Sequence, residues 1–201
     1  MRSVYDFIIK PVGERYDNEI SVGDKKLILN SKIENHKFIN NIAEVIATPL
    51  AYTTPINKGD KVLVHHNIFR RYYNQQGKEV NSSKYFKDDQ YFCQIDQIYM
   101  YSKDSDWTPI NDRCFVAPII NENDLDLQKE KKHIGILKYG NNSLESNKIN
   151  VGDLIGFTPN SEFEFVVNDE LLYCMRTKDI VIKYEYKTSK TQYNPSWAKS
   201  G

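Results

Sequence analysis

The chain carries no excess of charge of either sign: among 201 residues, 27 Lys plus Arg balance 27 Asp plus Glu, and the formal net charge is zero. No broad positive field is available to hold a nucleic-acid backbone or an anionic membrane, so neither is an expected partner. Cysteine is scarce. Cys93, Cys114 and Cys174 form an odd set with no C-x-x-C pair, and each sits in an apolar run such as Tyr91-Phe92-Cys93 or Leu171-Leu172-Tyr173-Cys174. That placement argues for reduced, buried thiols rather than a disulfide framework. Nowhere do about 18 apolar residues run together as a membrane-spanning helix requires, and no N-terminal apolar segment resembles a signal peptide. The expectation is a soluble cytoplasmic protein. The G-x-S-x-G, P-loop and Rossmann glycine patterns are missing as well, so an enzyme reading has no residues to stand on and no cofactor is expected.

What the chain does contain is strand-forming residues, including 14 Tyr and 9 Phe, spread along its length rather than gathered in helical stripes. The expected class is mainly β. Its length permits one large domain or two of about 100 residues each. An internal echo favours two. Ile56-Asn57-Lys58-Gly59-Asp60-Lys61-Val62-Leu63-Val64 recurs as Ile149-Asn150-Val151-Gly152-Asp153-Leu154-Ile155-Gly156-Phe157, with 93 residues between Gly59 and Gly152. In both copies a turn ending in Gly-Asp launches an apolar strand, and the glycine suits a position of positive φ.

Other pairs extend the echo at different offsets. Phe7-Ile8-Ile9-Lys10-Pro11 matches Cys114-Phe115-Val116-Ala117-Pro118 at 107, Val45-Ile46 matches Ile136-Leu137 at 91, and Ile98 matches Ile180 at 82. The second copy is thus shorter in two places. The first is the segment 12–41, rich in Asn, Lys, Glu, Ser and Gly, which is long for a connection inside a compact domain and is either functional or disordered. Within it lies one apolar tripeptide, Leu27-Ile28-Leu29, flanked by Gly23-Asp24-Lys25-Lys26 and Asn30-Ser31-Lys32. It is either a short strand tucked against the domain or an exposed anchor on a tether, able to dock in a partner's hydrophobic groove. The second is the insertion 67–90, a hairpin with its tip at Gln76-Gly77. The polar junction 102–107 divides the chain into residues 1–103, residues 108–186 and a tail, 187–201, expected to be flexible.

Three clusters invite chemistry. His65 and His66 are neighbours on an expected strand, and neighbours there point to opposite faces, which disfavours a shared metal ion. Arg70-Arg71-Tyr72-Tyr73 mixes cations with aromatics as single-strand-binding proteins do, but the neutral total charge favours arginines paired with carboxylates and tyrosines that pack. Asp88-Asp89 reads as a solvated turn. Asn168-Asp169 reads as the turn of a hairpin between alternating strands.

In order along the chain, Phe7-Ile8-Ile9-Lys10, the long loop with Leu27-Ile28-Leu29, Ala43-Glu44-Val45-Ile46-Ala47, Lys58-Gly59-Asp60-Lys61-Val62-Leu63-Val64 and Asp96-Gln97-Ile98-Tyr99 resemble the GroES co-chaperonin family. The run His65 to Arg71 followed by Tyr85-Phe86 is similar to the GroES-like proteins carried by tailed bacteriophages. The resemblance implies two tandem GroES-like small β-barrels, the second degenerate and without an anchor tripeptide. It implies a co-chaperonin that caps an ATP-bound GroEL-type chaperonin, with Leu27, Ile28 and Leu29 as chaperonin-binding residues. It also implies a homo-oligomeric ring, a folding client inside the chamber and, for a phage-encoded chain, residence in the host cytoplasm. The chain departs from bacterial GroES in having no long roof hairpin, since nine residues join Ala47 to Asn57. A rival from another class is a virion structural or decoration protein that uses 67–90 as a contact arm.

Overall fold

The computed structural model describes residues 2–15, 19–22, 25–28, 39–121, 130–185 and 191–199. The protein is mainly β and divides into two compact units, Met1–Trp107 and Thr108–Gly201. The first contains β1 (Phe7–Pro11), β2 (Glu19–Val22), β3 (Lys25–Ile28), β4 (Ile42–Ala47), β5 (Lys61–Val64), β6 (Arg71–Tyr73), β7 (Glu79–Asn81), β8 (Tyr85–Lys87), β9 (Gln90–Cys93) and β10 (Ile98–Lys103); β11 (Asp106–Pro109) spans the division. The second contains β12 (Arg113–Ile120), β13 (Glu130–Tyr139), the short helix α1 (Asn142–Ser146), β14 (Leu154–Phe157), β15 (Phe163–Val167), β16 (Glu170–Arg176) and β17 (Ile180–Tyr184).

The two large sheets repeat one topology. The first runs β8-β9-β1-β4-β5-β10 with β11 added at its end, and the second runs β15-β16-β12-β13-β14-β17. Registers agree residue by residue. Phe7 faces Cys93 as Cys114 faces Met175, and Ile98 faces Val64 as Ile180 faces Phe157. The partner strand slips at the same place in both, between Ile8 and Ile9 and between Phe115 and Val116. Offsets of 107, 93 and 82 therefore hold in space. The fourth does not: Ile9 pairs with Val45 and Val116 with Leu137, so these strands match at 92 rather than 91.

The echoed turn has the same hydrogen bonds twice. Asn57 N–H donates to Asp60 Oδ2 at 2.7 Å and Asn150 N–H to Asp153 Oδ2 at 2.8 Å, while Gly59 and Gly152 both adopt φ of 91°. The aspartate caps the turn and the glycine takes a backbone shape that L side chains resist. Each glycine N–H then donates at 2.8 Å to the neighbouring strand, to Val45 O or Leu137 O. This stitches the turn to the sheet.

Neither sheet's strand order closes on itself among the described residues, yet the second curls strongly. Strands β16 and β14 are three positions apart, about 14 Å in a flat sheet, but the rings of Tyr173 and Phe157 lie 6.4 Å apart. Cys114, Val116, Leu137, Leu144, Ile155, Leu171 and Met175 share one buried cluster with them. The curl thus gathers side chains from most of the strands into one core, as close packing requires.

Two expectations need correction, the strand at His65-His66 and the tail. The strand after Gly59-Asp60 ends at Val64, and His66–Ile68 forms a 3-10 helix, so His65 and His66 stack at 4.4 Å instead of facing apart. The two units divide after Trp107, at the end of the junction 102–107, where Asp104 and Ser105 take positive φ in a tight turn leading into β11 and Trp107 is buried. The tail expected to be flexible, 187–201, docks where it is described. Ile120 N–H donates to Thr191 O at 2.9 Å, Tyr193 N–H to Pro118 O at 2.8 Å, and Ala198 is buried in the core cluster. Asn194 secures it further, accepting from Leu171 N–H and donating to Asp169 O.

Candidate functional site

The site is built at the root of the long loop 12–41, which leaves the first sheet after β1 and returns into β4. The outgoing stem ends at Arg15, whose side chain is only 8% exposed. Its Nη2 donates to Phe69 O at 2.7 Å, its Nη1 to Asn81 Oδ1 at 2.8 Å, and its guanidinium lies 5.2 Å from the centre of the Tyr91 ring. A buried cation is tolerated only when paired or hydrogen-bonded in this way. Burial pushes the Tyr91 phenol up to about 12, with Arg15 opposing the shift, so the ring facing the cation stays neutral.

The returning stem is held by Asn40. Its N–H donates to Arg15 O at 3.0 Å, its Nδ2 to Val12 O at 2.6 Å and Glu14 O at 3.0 Å, and its Oδ1 accepts from Ile42 N–H at 2.8 Å. Ile39 beside it is buried. One asparagine thus closes both ends of the loop, leaving the intervening chain tethered at a fixed neck.

Beyond the neck the loop contains the two-stranded sheet of β2 and β3, with Ile20 opposite Leu27 and Glu19 opposite Ile28. Leu27 and Ile28 therefore lie on a strand, and that strand belongs to its own small sheet rather than to the seven-stranded one. Leu29 lies outside the described residues.

Arg15 also reaches the second insertion, because Phe69 and Asn81 flank the hairpin of β6 and β7. Asn74 shapes the tip: its backbone carbonyl accepts from Gly77 N–H and its Oδ1 from Gln76 and Lys78 N–H, as the Gln76-Gly77 pattern predicts. Ser82 Oγ donates to Ile68 O at its base. Arg71 pairs with Glu79 at 3.0 Å and Arg70 stacks 5.2 Å from the Tyr72 ring centre, while Tyr72, Tyr73 and Val80 stay exposed. The arginines are therefore engaged within the hairpin. Asp88 and Asp89 both take positive φ between β8 and β9, as Asn168 and Asp169 do between β15 and β16. Both pairs are two-residue hairpin turns.

Composition offered no signal for Arg15 or Asn40, which sit among many polar residues; only their tertiary partners single them out. Among the described residues the three thiols are not activated. Burial pushes Cys114 and Cys174 up to about 12, and Cys93 higher still, the opposite of what an attacking thiolate needs. His65 Nδ1 accepts from Asn67 N–H at 3.1 Å and so caps the 3-10 helix. Among the described residues no group of three His, Cys, Asp or Glu is placed to hold a metal ion.

No protein-family model matches the chain, and no curated protein matches it.

Proposed function

We propose that this protein is a co-chaperonin, built from two GroES-like barrels, that caps an ATP-bound GroEL-type chaperonin through Leu27, Ile28 and Leu29. One observation carries the reading: the two units share a strand order, yet only the first hangs a long loop with an apolar tripeptide between its first two sheet strands, from a neck clamped by Arg15 and Asn40. A fixed neck with an apolar segment beyond it is the mechanical form a tethered anchor needs. Burying three such side chains yields roughly 1.5–3 kcal/mol each, while ordering a loop costs roughly 1–2 kcal/mol per backbone residue. One loop alone therefore binds weakly. Several identical loops on one homo-oligomer convert weak contacts into avidity, and each contact still releases quickly when the chaperonin changes state.

The test is capture of this protein by a GroEL-type chaperonin with and without ATP. Capture that depends on ATP and is lost in Ile28→Asp, with the β spectrum of the protein unchanged, is the expected result. Failure of the unaltered chain to bind in either state, or undiminished capture of the variant, overturns it.

A second reading, a virion structural or decoration protein with the second insertion as its contact arm, rests on the exposed Tyr72, Tyr73 and Val80 there. Purified particles decide it, because a decoration protein stays on the virion and a co-chaperonin remains in the lysate.

A further inference from the structure

The 3-10 helix His66–Ile68 and the residue after it carry two carbonyls that fasten the insertions of the first unit. Ile68 O accepts from Ser82 Oγ at the base of the β6–β7 hairpin, and Phe69 O accepts from Arg15 Nη2 at the neck of the long loop. Both residues are wholly buried, so the placing of this short helix sets where both insertions are held. Its start is fixed by His65. That residue has the extended backbone of an N-cap, φ −64° and ψ 130°, and its Nδ1 accepts from Asn67 N–H at 3.1 Å.

Histidine is an unusual choice of cap. Asn, Asp, Ser and Thr present an oxygen that accepts throughout the neutral range, whereas an imidazole nitrogen accepts only while it carries no proton. The His65 ring is half-buried and stacked 4.4 Å from that of His66, so a charge on one opposes a charge on the other. Among the described residues, the elements packed around the pair bring further titratable and charged groups. β10 contributes Tyr99, its ring 6.3 Å from that of His65, and the 3-10 helix Ile95–Gln97 contributes Asp96, with Gln97 O accepting from His65 N–H at 3.0 Å. β9 contributes Tyr91 and Cys93, both kept uncharged by burial, and the loop stem contributes Arg15.

The second unit has the same backbone without the imidazoles. Thr158 N–H donates to Asp179 O at 2.9 Å as His65 N–H does to Gln97 O, but the matching pair is Thr158-Pro159, which does not titrate, and the chain runs on directly into β15. The titratable pair stands only where the insertions are fastened. We propose that His65 and His66 form a pH-sensitive latch: a proton taken from solvent at His65 Nδ1 breaks the bond from Asn67 N–H, frees the start of the 3-10 helix and loosens the neck through Phe69 O and Arg15. The freedom of the loop that carries Leu27-Ile28-Leu29 is thereby tied to acidity in the ordinary imidazole range, near pH about 6.5. The proposal concerns the neck and does not depend on the chaperonin reading.

Amide exchange of the full chain, corrected for its intrinsic pH dependence, tests it. The reporters are the amides of Asn67 and Phe69 in the latch and of Val12 and Asn40 in the neck, which bond to His65 Nδ1, His66 O, Ile42 O and Arg15 O. Between about pH 7.5 and about pH 5.5 their protection should fall by at least roughly threefold, the scale of a lost helix cap. Protection at Thr158 and Gly152 of the second unit should stay unchanged. In His65→Asn, which keeps an acceptor at the cap and does not titrate, the fall should vanish. In the unaltered chain the ring-proton resonances of His65 should shift with the same midpoint as the exchange. Unchanged protection in the unaltered chain, a fall that persists in His65→Asn, or a His65 midpoint apart from that of the exchange overturns the proposal.

Discussion

The two units are one strand order executed twice, and the differences between them fall at the connections. Between the first two sheet strands the first unit spends residues 12–41 and the second only the stretch from Ile120 to Glu130; after the Gly-Asp strand the first adds the β6–β7 hairpin and the second a plain turn. The ladders, by contrast, keep their registers, their shared slip and the same capped turn. A ladder ties every residue to two neighbours, so an insertion inside it would break many bonds at once. A connection leaving the sheet at a sealed neck can lengthen with little effect on the core. Arg15 and Asn40 are that seal in the first unit.

The comparison can be broken most sharply at one matched pair, Gly135 and Ala43. A Cβ on Gly135 would lie 2.5 Å from Val116 Cγ1 and 2.6 Å from Ala117 O, and the second of these is backbone. Gly135→Ala should therefore cost about 2–3 kcal/mol through overpacking. Ala43→Gly, with Ala43 wholly buried at the same place in the first unit, should cost about 1 kcal/mol. Denaturant midpoints measure both, and equal costs would mean that the two cores are packed alike.

Arg15→Ala should cost about 2 kcal/mol, because Phe69 O and Asn81 Oδ1 lose their donor inside the protein. Amide exchange should accelerate in 12–15, 39–42 and 68–82 and stay unchanged in β12 to β17. A uniform acceleration would show that Arg15 supports general stability rather than the neck.

The smallest effect is that of pH. Cys114 and Cys174 of the second unit are held up to about 12 against an ordinary 9, so the folded state keeps protons that the unfolded state releases. Their contribution is fully present below pH 9 and is lost as pH rises from 9 toward 12, by less than about 1 kcal/mol per thiol at pH 9.5. Cys93 stands alone in the first unit, so amides of the second should lose protection first beyond the intrinsic pH dependence of exchange.

Much of the architecture was legible because it depends on local chemistry. Asn-x-Gly-Asp needs only four residues to make its turn, which is why Gly59 and Gly152 announce the duplication, and Asn168-Asp169 and Gln76-Gly77 mark hairpins for the same reason. The 91-residue match of Val45-Ile46 to Ile136-Leu137 slipped by one because both segments are apolar on consecutive positions. Alternation is then too weak to fix which residues face inward, and a slip of one exchanges the faces. Only the ladder shows that Leu137, buried like Val45, is its true counterpart.

By itself, then, the sequence determined a neutral, mainly β chain with a repeated Gly-Asp strand and a long connection bearing Leu27-Ile28-Leu29, since composition and short-range turn chemistry suffice for each. Tertiary structure alone decided that Arg15 crosses 54 and 66 residues to seal the neck at Phe69 and Asn81, and that the polar tail docks on β12. Those features are partnerships between residues far apart in the chain, and a polar residue in a polar stretch carries no mark of the distant group that will bury it.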